Sequence, residues 1–90
     1  MDDMIEKKEI DVRVMVELAN KYQLPQRDTD FIIEYLSYNE NGIAFEALCG
    51  AIEAEKIMIA TCDYNLIVSL GKQMKMDENL WVALSSNGFD

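Results

Sequence analysis

The chain has ninety residues, half of them hydrophobic, with seventeen carboxylates against eight lysines and arginines and a net charge of −9; a chain this short buries about 60–65% of its unfolded surface and supports one core. Its few, scattered cations disfavour direct nucleic-acid binding, which depends on lysine and arginine at phosphates. No apolar run approaches the ~20 residues that a membrane span needs. With no histidine the usual general base and the commonest metal ligand are both missing, so neither an enzyme, a cofactor nor a metal site is expected.

Glycine is scarce and Pro25 is the single proline, while leucine, isoleucine, methionine, alanine, glutamate and lysine are plentiful. That composition favours helices over strands and predicts an all-α domain, a small bundle of four to five helices spanning residues 1–90. Met1 is followed by Asp2, Asp3 and Glu6, the opposite of a signal peptide's basic start, and a cytoplasmic protein is expected. Residues 1–9 read as a frayed lead-in or an extra helical turn.

From about Ile10 to Tyr22, Val14, Met15, Leu18, Ala19 and Tyr22 fall on one stripe of a first helix. Arg13, Glu17 and Lys21 lie four apart on its other side and are expected to pair. Leu24-Pro25 breaks this pattern and starts a second helix, running to about Tyr38, with Asp28 and Asp30 near the positive end of its dipole. Asn39-Glu40-Asn41-Gly42 is a dense turn signal. A third helix, about Ile43 to Glu55, turns Ala44, Ala47, Leu48, Ala51 and Ile52 inward and Glu46, Gly50 and Glu53 outward. Ile57–Ala60 reads as a connector tucked against the core. Thr61 or Asp63 is expected to cap a fourth helix carrying Ile67, Leu70 and Met74 as far as Lys75. Asp77 caps a short last helix with Leu80, Trp81 and Leu84, and residues 85–90 read as a tail. Cys49 and Cys62 lack metal-ligand spacing and are expected to be reduced thiols.

Charge is the uneven feature. Residues 28–55 hold seven carboxylates and no lysine or arginine, and so account for seven of the nine net negative charges. Two amphipathic helices whose outer sides display Asp30, Glu34, Glu46, Glu53 and Glu55 would steer a basic protein partner towards them. Tyr38 is the candidate aromatic anchor, with Tyr64 as a second candidate. A small adaptor or regulatory subunit using this surface on a basic, non-toxic protein is one function open to such a chain.

The run EYLSYNENGIAFEALCGAIEAEKIMIATCDYNLIVSLGKQMKMDENLW resembles the small MafI-type immunity proteins, which pair with MafB and related polymorphic or contact-dependent-inhibition toxins. The resemblance spans roughly residues 24–84. It is carried by Glu34, Glu40 and Gly42, then Ala44, Leu48, Cys49, Ile52 and Glu53, then Ile59, Tyr64, Ile67, Leu70 and Trp81. It implies a cytoplasmic antidote that binds one toxin domain, often a nuclease, and blocks its active site or basic substrate surface. It implies no particular set of contact residues.

Overall fold

In a computed structural model, residues 11–88 are described; the expectation for residues 1–9 and the last two residues of the expected tail lie outside them. Five α-helices follow in order: α1 Arg13–Lys21, α2 Gln26–Ser37, α3 Asn41–Ala54, α4 Thr61–Gln73 and α5 Asn79–Val82, the last continuing into a 3-10 segment, Ala83–Asn87. The fold is the expected small all-α bundle. Among the described residues, no helix is long and apolar enough to cross a membrane.

Helix α3 is the centre. Ala44, Phe45, Leu48, Cys49, Ala51 and Ile52 are buried along it, and it packs on α1, α5, the 3-10 segment and, most extensively, α2. Met15, Leu18 and Ala19 of α1 and Ile32 of α2 meet it from outside, with Ile59, Ile67, Leu70, Trp81 and Leu84 closing the same core. Each stripe follows the three- and four-residue spacing that puts side chains on one helical face.

Gly71 makes room for the last joint. A Cβ there would stand 2.3 Å from Cζ3 of Trp81 and 2.9 Å from Cζ of Phe45, so only glycine lets the indole lie against the α4 backbone. Trp81 then meets Phe45 edge-on, ring centroids 6.3 Å apart, a favoured aromatic geometry.

The four long helices end alike, and none of them on glycine. Gln23, Asn39, Lys56 and Lys75 all adopt positive φ, between 53° and 62°. At each, the positive-φ residue donates its N–H three residues back and the next residue donates five back, as in Leu24 N–H to Ala19 O and Ile57 N–H to Ile52 O. This is the Schellman closure, which satisfies carbonyls a helix end leaves open. An L residue in this conformation costs roughly 1–2 kcal/mol, offset where Leu24, Ile57 or Met76 follows and packs on the core.

Several local expectations are corrected. The turn between α2 and α3 closes at Asn39, and Asn41 and Gly42 already belong to α3. Arg13 pairs with Asp11 at 3.1 Å and Lys21 with Asp63 at 2.7 Å, and neither with Glu17. Neither Thr61 nor Asp63 caps α4, whose N-cap residue is Ala60 with no side-chain cap bond. The N-cap residue of α5 is Glu78 and not Asp77, again with no side-chain cap bond, although Asp77 accepts the Asn79 N–H at 2.9 Å. Residues 85–87 are no tail: the Asn87 amide donates to the carbonyls of Ile52 and Ile57, both at 3.2 Å, and pins the 3-10 segment to the end of α3.

Candidate functional site

The three-residue link between α2 and α3 turns the chain back, and the two helices leave a groove between their outward flanks. Its volume is about 450 Å³, and it is lined by Arg27, Asp28 and Phe31 of α2 and by Ile43, Glu46, Ala47, Gly50, Ala51, Ala54 and Glu55 along α3. Four of the lining residues on α3, Ala47, Gly50, Ala51 and Ala54, have small side chains or none. Phe31 and Ile43, each 40% exposed, present apolar surface to solvent, and Asp28, Glu46 and Glu55 supply negative charge at the edges.

An aromatic ladder runs from the groove along α2. Phe31 and Tyr35 have ring centroids 4.5 Å apart, and Tyr35 meets Tyr38 edge-on at 5.8 Å. Tyr38 is 60% exposed. Its hydroxyl donates to Glu34 Oε2 at 3.3 Å, and the Glu34 charge, then that hydrogen bond, holds the phenol's pKa above its ordinary value. One turn before Glu34, Asp30 accepts from the Gln26 amide at 2.8 Å. Asp30, Glu34 and Tyr38 thus form one exposed i, i+4, i+8 stripe.

Of the residues expected to bind a partner, the groove brings Glu46 and Glu55 together, while Asp30, Glu34 and Tyr38 form the neighbouring stripe. Glu53 is exposed on α3 but does not line the groove. It faces Cys49, whose thiol is pushed up to about 12, first by burial and then by the Glu53 charge; that thiol stays protonated at neutral pH. Tyr64 is half-buried, packs on the core from α4 and is not part of the groove. Among the described residues, none of the carboxylates between 28 and 55 makes an ion pair. The surface is nevertheless not free of cations, because Arg27, one residue before the cation-free stretch, lines the groove.

Sequence reasoning missed Phe31 and Ile43, and did not place the outward Gly50 in a groove. The available signals were two large apolar residues off the buried stripes and an outward glycine in mid-helix. A Cβ at Gly50 would meet nothing within 4 Å, so among the described residues no close neighbour excludes a side chain there.

A second polar cluster lies between α1 and α4. The Tyr22 hydroxyl donates to Asp63 Oδ2 and accepts the Ala60 N–H at 2.9 Å, and Lys21 Nζ donates to the same Asp63 oxygen at 2.7 Å. Asp63, 8% exposed, has its pKa lowered by the Lys21 and then the Tyr22 hydrogen bond. Lys21 is raised, chiefly by its hydrogen bond to Asp63, and Tyr22 is raised by burial and then by that same carboxylate. Every member has its partners, so this cluster is a clamp between helices.

Comparison with protein-family models, with characterised proteins and with solved structures gives no match.

Proposed function

We propose that the chain is an immunity protein that binds and neutralises a bacterial polymorphic or contact-delivered toxin, with the acidic α2–α3 face as its binding surface and a basic, nuclease-like toxin domain as its partner. The observation that carries the reading is the pairing of unneutralised carboxylates with exposed apolar side chains on one helical hairpin. Charge of one sign accelerates encounter with a basic surface, and Phe31, Ile43 and Tyr38 supply the desolvated contact on which affinity depends. Acidic side chains held in fixed positions can also occupy sites that a nuclease uses for phosphates. The family resemblance supports the same reading.

Co-expression with a toxin domain, sought first among the genes next to this one, tests it. Restored growth, with a one-to-one complex recovered from the cells, is the expected outcome. Continued killing although a stoichiometric complex forms would remove the proposal, and a regulator recovered in place of a toxin would favour the adaptor.

A further inference from the structure

The α2–α3 groove differs from a merely charged surface in its floor and its shape. Ala47, Gly50, Ala51 and Ala54 line the channel with small side chains or none, and among the described residues no neighbouring atom stands within 4 Å of where a Cβ at Gly50 would lie, so the cost of a helical glycine there is not set by a clash within the fold. The lining of α3 runs from Ile43 to Glu55, roughly 18 Å at the rise of an α-helix. That matches more than three turns of a second helix.

The walls also decide which kind of backbone can enter. Both are helices whose peptide groups are hydrogen-bonded internally, so the groove has no free edge with which to pair an extended strand. A helix satisfies its own backbone and needs only side-chain contact. Small residues on the floor allow the close interaxial approach that helix packing favours.

The charges decide the partner. Asp28, Glu46 and Glu55 edge the groove against the single cation Arg27, and Asp30 and Glu34 add to the field from the neighbouring stripe. A second copy of the chain would bring another net charge of −9 against the first, which like-charge repulsion opposes.

We infer that the groove between α2 and α3 is a docking slot for an amphipathic helix of a basic partner protein, its apolar stripe seated over Ala47, Gly50 and Ala54 and its lysines or arginines reaching Asp28, Glu46 and Glu55. The inference rests on the reading of this face as the partner-binding one and adds the secondary structure and pattern of what enters.

The test uses the full chain and two fluorescein-labelled synthetic peptides of about 15 residues. One is a helix with alanine and leucine on one face flanked by lysines; the other has the same composition scrambled to remove the helical period. Fluorescence anisotropy at several salt concentrations gives the affinities. The periodic peptide should bind at least about tenfold tighter than the scrambled one, and the Gly50 amide resonance should shift on binding. Gly50→Leu starts from a Cβ that meets nothing within 4 Å and places its bulk in the channel; it should weaken the periodic peptide at least about tenfold with the melting temperature kept or raised, and Gly50→Ala, which adds the Cβ alone, should weaken it less. Equal affinity for the two peptides, no binding of either, an unaffected Gly50→Leu variant, or a Gly50-dependent dimer in sedimentation would each overturn the inference. Growth protection without groove binding would sink the slot and spare the immunity function; peptide binding without protection would do the reverse.

Discussion

Asp63 and Glu46 are both carboxylates on helices of one small bundle, and they are used in opposite ways. Asp63 is buried and holds an ammonium and a phenol together, so its charge joins α1 to α4. Glu46 is exposed at the edge of a groove, and among the described residues no cation pairs with it. Composition counts the two alike. What separates them is the neighbour the fold supplies: a paired charge contributes to stability, while an unpaired charge at the surface contributes mainly to the field that an approaching molecule meets.

The sharpest way to probe this contrast starts with the packing under both regions. Leu48→Ala empties a fully buried position of α3 and should destabilise the fold by about 2–5 kcal/mol in urea unfolding, whatever the charges above it. Asp63→Ala comes next. It leaves the Tyr22 hydroxyl without its acceptor and should cost about 1–3 kcal/mol.

The same clamp gives a pH signature. Asp63 has a lowered folded-state pKa, so its contribution is intact above the unfolded value of about 3.9 and is lost as pH falls through the folded one. Lys21 and Tyr22 have raised values. Their contributions are intact below the unfolded values near 10 and are lost as pH rises further. The wild-type chain should therefore lose this stabilisation below about pH 4 and above about pH 10. Asp63→Ala should flatten the acid limb, which unfolding titrations of the two proteins would detect.

At the groove the effects should be smaller and partly reversed. Gly50→Ala puts a methyl group into open space and should stabilise the chain by about 0.5–1 kcal/mol through helix propensity alone; a loss in chemical denaturation would show that glycine serves the fold itself. The double change Glu46→Gln and Glu55→Gln should move stability by no more than about 0.5 kcal/mol. It should instead slow association with a basic partner and reduce the salt dependence of the on-rate. A large stability change here would mean that these carboxylates are structural after all, and the contrast with Asp63 would collapse.

The two regions were not equally readable in the sequence. Helical periodicity located the buried stripes of α1 and α3, because residues such as Met15, Leu18, Leu48 and Ile52 recur at the spacing of one face. Pro25 marked the start of α2. Helix ends were read less well: Asn39 suits a left-handed turn, but Gln23, Lys56 and Lys75 give no such signal and adopt it because Leu24, Ile57 and Met76 have a core to fold back on. Gly42, expected in a turn, lies in α3, and no local pattern marks Gly71 as the glycine that seats Trp81.

By itself, the sequence determined an acidic, all-α, single-core chain whose negative charge is concentrated between residues 28 and 55, since composition and periodicity are local properties carried by the residues themselves. Only the tertiary structure decided which acids are spent: Asp63 meets Lys21 and Tyr22 from about forty positions away along the chain, and no local pattern encodes that meeting. It also decided that Glu46 and Glu55 share a groove with Phe31, Ile43 and Gly50 while Glu53 lies outside it. Which outward residues become neighbours depends on how α2 lies against α3, and that is fixed by the packing of their buried sides.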